Sequence, residues 1–312
     1  MKRAIVTGGA GFIGSNIVDS LLDNGYEVTI VDNLATGNLN NINSKATFFN
    51  VDICDYAKLN EVFLSCSPQI VIHHAAQVSV YESLQHPIED AKTNIIGTVN
   101  VLELSIKYNV NKVIYASSAA VYGSPRYLSI DEDHPISPVS FYGISKYTPE
   151  KYIRTYSDLY GLKYTIFRYA NVYGPRQDPK GEGGVISIFL DKLIDNKTPF
   201  IYGGEQTRDF IYVDDIVRAN LLAINRGDNK TINIGTNSET SILELYQLIA
   251  SLIGTKLKPI CKDYREGDIL RSSLSNKSAY ELLGWTPRFS LEEGLRSTLG
   301  YYQKEFKNTC EY

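Results

Sequence analysis

A tyrosine, a lysine and a serine in the middle of the chain are spaced for proton transfer. Tyr142 and Lys146 lie four residues apart in a helical pattern, so their side chains share one face. A tyrosine ionises near pH ~10 and is a poor base at neutral pH, but a cation one turn away favours the phenolate and lowers the pKa. Ser118 follows a short apolar strand, Lys112–Ala116, and its hydroxyl could share a substrate oxygen with Tyr142. Together the three residues predict a site where Tyr142 accepts a proton from a substrate hydroxyl.

A glycine-rich turn near the N-terminus could bind a dinucleotide. An apolar strand is followed by Gly8, Gly11 and Gly14 and then by a helical pattern. Gly8 allows a tight turn, Gly11 lets the backbone approach a pyrophosphate, and Gly14 lets the helix lie close to the strand. The free N–H groups at the start of that helix attract phosphate. Asp32, after the next strand, can accept hydrogen bonds from ribose hydroxyls and would repel a 2′-phosphate, so we expect NAD rather than NADP.

The elements that must position these residues alternate between strand and helix. Strand patterns cover Arg3–Val6, Glu27–Val31, Ala46–Asn50, Gln69–His73, Lys112–Ala116 and Tyr164–Phe167. Helical patterns cover Gly11–Leu22, Tyr56–Ser65, Ile88–Tyr108 and Tyr142–Tyr160. This alternation predicts an α/β fold, a doubly wound parallel (Rossmann-type) sheet with helices on both faces. Pro149, inside the last of these helices, is expected to bend it after Lys146.

The alternation loosens after Arg168. A polar, glycine-rich loop over residues 174–184 precedes a helical pattern at Ile186–Asn196 and short strands near Phe200–Tyr202 and Arg208–Val213. We therefore expect residues 1–170 to form an NAD-binding Rossmann domain and residues 171–312 a smaller C-terminal α/β lobe that binds substrate, with segments partly interleaved. The junction of two such lobes is where small-molecule sites usually form.

The composition argues against several classes of binding partner. The net charge is −4 and no basic run is present, so neither nucleic acid nor an anionic membrane surface is expected. No apolar run approaches the ~18 residues that span a bilayer. The four cysteines are scattered without a Cys-x-x-Cys pair, which is typical of reduced thiols and favours the cytoplasm. His73-His74 has no spaced third ligand, so no metal site is predicted.

Several motifs of this chain occur together in one known family. They are the glycine turn with Asp32, His74-Ala75-Ala76, Asn94, the run Ser117–Gly123 and Tyr142-x-x-x-Lys146. On these the chain resembles the extended short-chain dehydrogenase/reductase family. In its second half, Arg168–Arg176, Thr207–Asp215 and Arg265–Asp268 resemble the nucleotide-sugar half of UDP-glucose 4-epimerases and their UDP-N-acetylglucosamine relatives.

The resemblance implies a role for each matching residue. Tyr142 would take the proton from the sugar 4-hydroxyl while hydride passes to bound NAD, Ser118 would hydrogen-bond the same oxygen, and Lys146 would bind the nicotinamide ribose. A transient 4-keto sugar would then turn over within the site and take the hydride back on its other face. The implied NAD-binding residues are Gly8, Gly11, Phe12, Ile13, Asp32, Asn33, Asp52, Ile53, Ala75, Ala76, Asn94, Tyr142 and Lys146. The implied UDP-sugar-binding residues are Ser118, Tyr142, Asn171, Gly184, Val185, Tyr202, Arg208, Arg265, Asp268 and Ser272.

The resemblance also implies a homodimer, argues against a dehydration reaction and bears on the choice of sugar. Relatives pair through the helices that correspond to Ile88–Tyr108 and Tyr142–Tyr160. Related 4,6-dehydratases carry an Asp-Glu pair after the serine or threonine, where this chain has Ala119 and Ala120, so dehydration is not expected. Ser272 stands where some glucose/galactose-restricted relatives carry a bulky tyrosine, which leaves room for a 2-N-acetyl group.

We therefore expect a UDP-sugar 4-epimerase that acts on UDP-N-acetylglucosamine and UDP-N-acetylgalactosamine as well as on UDP-glucose and UDP-galactose. The alternatives are a UDP-glucuronate 4-epimerase and a net nucleotide-sugar oxidoreductase of the same family. A protein that senses NAD without catalysis is a further alternative, but it would have no need of a matched set of Ser118, Tyr142 and Lys146.

Overall fold

The central sheet has seven parallel strands. The computed structural model describes residues 2–179, 184–264 and 268–310. The strands of the sheet are β1 (Arg3–Thr7), β2 (Glu27–Asp32), β3 (Thr47–Asn50), β4 (Ile70–His73), β5 (Lys112–Ser118), β6 (Lys163–Tyr169) and β11 (Lys230–Ile234). Their order is β11-β6-β5-β4-β1-β2-β3, and every pair is parallel. The order reverses between β1 and β4, and ligands of such sheets bind at the carboxyl ends beside that point. The predicted doubly wound sheet is confirmed.

Six helices of the first half alternate with these strands. They are α1 (Phe12–Asp23), α2 (Tyr56–Cys66), α3 (Val80–Gln85), α4 (Pro87–Ala91), α5 (Gly97–Lys107) and α6 (Phe141–Tyr160). The helical span predicted over Ile88–Tyr108 is confirmed, but it contains a wider π-helical turn at Lys92–Ile96 between α4 and α5. That turn contains the buried Asn94. By contrast α6 runs through the buried Pro149 as one helix, so Tyr142 and Lys146 share it as predicted.

The second half supplies short strands and five more helices. The strands are β7 (Asn171–Tyr173), β8 (Phe200–Tyr202), β9 (Thr207–Arg208), β10 (Phe210–Tyr212), β12 (Thr240–Ser241) and β13 (Ile260–Lys262). The helices are α7 (Val185–Ile194), α8 (Val213–Ala223), α9 (Ile242–Ile253), α10 (Lys277–Leu283) and α11 (Leu291–Cys310). The strands form three two-stranded sheets, β7 with β10, β9 with β12 and β8 with β13. Among the helices so described, none has both the length and the apolar content that crossing a bilayer requires.

The predicted strand Arg208–Val213 is wrong in detail, because it is two strands in two sheets. β9 pairs with β12 and β10 pairs with β7, and Asp209 lies between them. Its carboxylate, in a residue that is 1% exposed, accepts hydrogen bonds from the backbone N–H of Thr236 at 2.9 Å and of Leu274 at 3.1 Å. The inward turn that satisfies this buried carboxylate separates the two strands.

The two faces of the central sheet carry separate cores. Side chains of α1 and α8 cover one face, in a cluster that also includes the buried Trp285. Side chains of α2, α5 and α6 cover the other face. Because both faces are covered, the strands are almost wholly apolar inside, and polar groups collect at their carboxyl ends.

Candidate active site

The three residues predicted to transfer a proton lie together. Ser118 is the last residue of β5 rather than the residue just past its end, and its Oγ accepts a hydrogen bond from the Ala120 N–H at 3.1 Å. Tyr142 shares a side-chain hydrogen bond with Ser118. Lys146 lies one helical turn further along α6 and is only 4% exposed. A strand end and a helix face therefore bring the hydroxyl, the phenol and the ammonium into one site.

Burial shifts the pKa values of Tyr142 and Lys146. Burial raises the pKa of Tyr142, and the hydrogen bond from Ser118 only partly offsets it. The expected lowering depends on Lys146 together with a second cation such as an oxidised nicotinamide and stays a prediction; in the protein alone, desolvation of the phenolate is the largest effect. Burial likewise lowers the pKa of Lys146 to about 8, against the opposing charges of Asp90 and Glu150. The Lys146 Nζ lies 4.9 Å from the centre of the Tyr115 ring, a cation–π contact that favours the charged form.

The glycine turn forms a close-packed cradle at the start of α1. Gly8 has φ +70°, and a Cβ there would lie 2.7 Å from the Ala75 nitrogen. A Cβ on Gly14 would lie 2.1 Å from the Gly8 oxygen, so only glycine lets the helix approach the turn. Gly11 occupies the N-cap of α1 without a side-chain cap bond, which leaves backbone N–H groups to meet an anion. This cradle fits the pyrophosphate of a dinucleotide.

The residues predicted to meet the adenosine end lie at the ends of β2 and β3. Asp32 is buried, and its carboxylate accepts hydrogen bonds from the Ala10 N–H at 3.0 Å and the Leu34 N–H at 2.8 Å. It therefore also ties the glycine turn to β2. The Asn33 Nδ2 donates to the Asp52 Oδ2 at 3.0 Å. Burial would raise the pKa of Asp52, but hydrogen bonds from the Cys54 backbone and from Asn33 bring it below its usual value.

The other predicted cofactor residues surround the same edge. Phe12 and Ile13 form the first turn of α1 and are partly buried. Ile53 is buried after β3. Ala75 and Ala76 follow β4, and the Ala75 N–H donates to the Thr7 Oγ1 at 3.2 Å. Asn94 is 1% exposed, and its amide bonds to Gln77, Asp90 and Ser145.

A buried nitrogen at this edge lacks a partner. Among the described residues nothing bonds to the Nδ1 of His74, whose Nε2 lies 3.3 Å from the Tyr169 hydroxyl. That hydroxyl also accepts a hydrogen bond from the Asn220 Nδ2 at 2.8 Å. The glycine cradle, Asp32 and this free nitrogen together fit a dinucleotide.

The residues predicted to bind UDP lie where β7, β9 and β10 meet. The exposed Asn171 is fixed by its backbone N–H, which donates to the Asp209 carbonyl at 2.9 Å. The Arg208 Nη1 donates to the carbonyls of Thr207 at 2.8 Å and Ile269 at 2.6 Å. Burial lowers the pKa of Arg208, and the charge of Asp268 opposes that effect. Arg208 and Asp268 are therefore neighbours, whereas Arg265 lies outside the described residues.

The remaining predicted substrate residues flank this group. Gly184 is the N-cap of α7 and Val185 its first residue, while Tyr202 ends β8. Ser272 is partly buried and leads into a segment that bonds to Ile130, where Ser273 accepts the Ile130 N–H at 2.9 Å. The residue next to Ser272 thus contacts the segment that follows Ser118 along the chain.

Two buried carboxylates beside the site escaped the sequence analysis. Glu150 is fully buried and accepts hydrogen bonds from the Ser117 Oγ at 2.7 Å and the Arg168 Nη2 at 2.6 Å. Asp90 lies at 1% exposure beside Asn94. The signal for Glu150 was its place one turn after Lys146 on the same helix face, and that for Asp90 was its place four residues before Asn94.

Comparisons with known proteins identify the family of this chain. The model of the NAD dependent epimerase/dehydratase family matches residues 4–235. A relative from Methanocaldococcus jannaschii, which carries the provisional name UDP-glucose 4-epimerase, is 52% identical over 299 residues, 95% of this chain and 97% of the relative.

Two solved structures are similar along nearly the whole chain. The UDP-glucose 4-epimerase of Thermotoga maritima, solved with UDP-glucose, has a TM-score of 0.96 at 46% identity and covers 97% of this chain and 99% of its own. The UDP-N-acetylglucosamine 4-epimerase of Methanobrevibacter ruminantium, solved with UDP-N-acetylmuramic acid, has a TM-score of 0.93 at 34% identity with the same coverage. The chain belongs to the NAD dependent epimerase/dehydratase family, whose cofactor is NAD, and thus to the extended short-chain dehydrogenases/reductases.

Proposed function

We propose that the protein is a UDP-sugar 4-epimerase that inverts carbon 4 of a UDP-hexose and keeps NAD bound throughout. The hydrogen-bonded pair of Ser118 and Tyr142, with Lys146 one turn away, carries this proposal. It is supported by the similarity to UDP-sugar 4-epimerases over almost the full chain. Residues 1–170 would bind the dinucleotide and residues 171–312 the nucleotide sugar.

The chain's own residues would move the proton. Tyr142 accepts the proton of the sugar 4-hydroxyl, and Ser118 donates a hydrogen bond to the same oxygen as charge develops on it. The chemistry that NAD supplies when bound is reversible hydride acceptance, with a positive charge in its oxidised form. Because burial raises the pKa of Tyr142 in the protein alone, Tyr142 becomes an effective base only when positive charge is close to it. Lys146, with a pKa of about 8, is partly protonated at neutral to mildly alkaline pH.

The UDP end would stay anchored while the sugar turns. Arg208 already uses Nη1 for two backbone carbonyls, so its orientation is fixed before a ligand arrives. Its other donors lie in one plane, which suits a diphosphate. Asn171 and Asp268 flank it, and Arg265 is proposed to add a second cation. A fixed anchor lets the oxidised sugar present either face and still be recaptured.

Substrate breadth is proposed to depend on Ser272. A small, partly buried side chain at this position leaves room for a 2-N-acetyl group, so UDP-N-acetylglucosamine and UDP-N-acetylgalactosamine should react as well as UDP-glucose and UDP-galactose. The comparison of kcat/KM for both pairs in the wild type and in Ser272→Tyr tests this. Ser272→Tyr should lose N-acetylated turnover and keep the other; intact N-acetylated turnover contradicts the idea.

The reaction itself is tested without added cofactor. The purified protein is incubated with each UDP-sugar and the 4-epimer is followed by NMR. Epimer formation with no net change in reduced NAD supports the proposal, whereas stoichiometric oxidation or reduction would show a net oxidoreductase. Tyr142→Phe should abolish epimerisation and still bind UDP-sugar, and retained turnover would remove Tyr142 from the reaction.

We also propose that the protein is a homodimer in the cytoplasm. The packed helices α3, α4 and α6 expose apolar side chains, among them Tyr81, Ile88 and Ile144, which a second copy would cover. Ile88 is 79% exposed, so Ile88→Glu should shift sedimentation from dimer to monomer. The described cysteines are free thiols, which supports a reducing compartment.

A further inference from the structure

Asp90, the last buried carboxylate before the π-helical turn, connects to the catalytic helix through the amide of Asn94 and through the side chain of Ser145. Its Oδ1 accepts hydrogen bonds from the Gln77 Nε2 at 2.9 Å and the Asn94 Nδ2 at 3.2 Å. The Asn94 Nδ2 also donates to the Ser145 Oγ at 2.8 Å. Ser145 lies on α6 between Tyr142 and Lys146. Asp90 is therefore joined to the turn of helix that presents both catalytic side chains.

The wider turn at Lys92–Ile96 explains how Asn94 makes this connection. Its Oδ1 accepts the Gln77 N–H at 2.8 Å, and its Nδ2 also donates to the Gln77 carbonyl at 3.0 Å. The two hydrogens of Nδ2 are shared among the Gln77 carbonyl, Asp90 and Ser145, which holds the amide in one orientation. A fixed amide transmits position from the α4 side of the site to α6.

The hydrogen bonds that Asp90 accepts do not require a negative charge. A neutral amide oxygen at position 90 could accept the same two N–H bonds, whereas a buried carboxylate is costly unless a cation compensates it. The cation whose charge acts on Asp90 is Lys146. From the other side Glu150, His73 and His74 also interact with Lys146.

The charge of Asp90 also acts on two phenols. It raises the pKa of Tyr142, after the larger effect of burial, and it contributes to the raised pKa of Tyr115. It opposes the loss of the proton from Lys146. The charge of Asp90 thus acts on both Tyr142 and Lys146.

We propose that Asp90 is a positioning residue for the reaction, a buried counter-charge to Lys146 that also fixes Tyr142 and Lys146 through Asn94 and Ser145. The inference rests on the proposed roles of Tyr142 and Lys146. A purely structural role would require the hydrogen bonds but not the charge, and this difference can be measured.

Asp90→Asn and Ser145→Ala separate the two contributions. Asp90→Asn keeps the shape and an acceptor oxygen but removes the charge, so the pKa values of Tyr142 and Lys146 should both fall. The pH profile of kcat/KM should then move toward acid by about one pH unit. Ser145→Ala removes the hydrogen bond and keeps the charge, so it should lower kcat and leave the profile in place. An unmoved profile in Asp90→Asn, or an equal movement in both variants, overturns the proposal.

A second readout does not depend on turnover. The phenolate absorbance of each protein is titrated against that of its Tyr142→Phe counterpart, which isolates Tyr142. A lower midpoint in Asp90→Asn than in the wild type supports the inference even where no epimer forms, so its failure is distinct from failure of the proposed function. Equal midpoints overturn it.

If Asp90→Asn does not fold, Lys146→Met tests the same charge interaction between Asp90 and Lys146 from the other side. Lys146→Met removes the compensating cation, so the carboxyl of Asp90 should titrate at higher pH when followed by carbon-13 NMR. An Asp90 titration that is the same in Lys146→Met and in the wild type overturns the proposal.

Discussion

Replacement of Lys146 by methionine should make the protein more stable and inactive. Lys146 is 4% exposed, and burial lowers its pKa from 10.5 to about 8. At a pH below 8 that lowering corresponds to about 3 kcal/mol of destabilisation, since one pKa unit is about 1.4 kcal/mol. Methionine has a similar length and no charge to desolvate, and the attraction of Asp90 and Glu150 for Lys146 is already contained in the pKa of about 8. The substitution also loses the contact with the Tyr115 ring, worth about 1 kcal/mol. We expect Lys146→Met to raise the free energy of unfolding by about 2 kcal/mol.

The stability difference between Lys146→Met and the wild type should decrease as the pH rises. Between pH 8 and 10.5 the unfolded chain binds more protons at Lys146 than the folded one, so the wild type gains stability as pH rises. The advantage of Lys146→Met should therefore be full below pH 8 and vanish by about pH 10.5. Urea denaturation of protein freed of NAD measures it, with Lys151→Met on the exposed face of the same helix as the matched control. Equal stability of Lys146→Met and the wild type at pH 7, or a difference that grows with pH, would refute the reasoning.

Three other changes test the site and its support. Gly14→Ala should lower NAD content and cost up to about 2 kcal/mol of stability, because its Cβ would lie 2.1 Å from a carbonyl oxygen of the turn. Gly300 is a helical glycine at which a Cβ would have nothing within 4 Å, so Gly300→Ala should instead stabilise the protein by about 0.5–1 kcal/mol. An equal change of stability in the two variants, measured by thermal unfolding, would contradict the close packing of the glycine turn. Arg168→Met should cost about 3 kcal/mol in urea denaturation, because it removes the buried ion pair of Glu150 and leaves its carboxylate only the partly exposed Arg154; a loss below about 1 kcal/mol would contradict this. Arg208→Lys should raise KM for the UDP-sugar and leave NAD content unchanged, since a single ammonium cannot replace the planar fork; an unchanged KM would remove Arg208 from the anchor.

The parts of the site that sequence predicts are those set by short-range geometry. Tyr142 and Lys146 follow from the spacing of one helix, and Ser118 follows from the end of one strand. The glycine turn follows from the spacing of Gly8, Gly11 and Gly14 within seven residues. Each depends on local backbone chemistry, which a single segment carries.

The parts that sequence did not predict depend on distant partners. The break between β9 and β10 is set by Asp209, whose carboxylate accepts hydrogen bonds from N–H groups 27 and 65 residues further along. The wider turn at Lys92–Ile96 has residues that fit an α-helix equally well. The raised pKa of Tyr142 comes from burial, which is a property of the folded protein and not of any spacing.

The seventh strand, β11, has a consequence for attempts to exchange substrate lobes between relatives. It lies at residues 230–234 but pairs with β6 along its whole length, so the C-terminal part of the chain completes the sheet of the N-terminal part. A chimera joined at residue 170 would import a foreign edge strand together with the foreign lobe. A successful graft must therefore use at least three crossover points, one before the lobe, one on each side of β11, so that the host retains its own sheet.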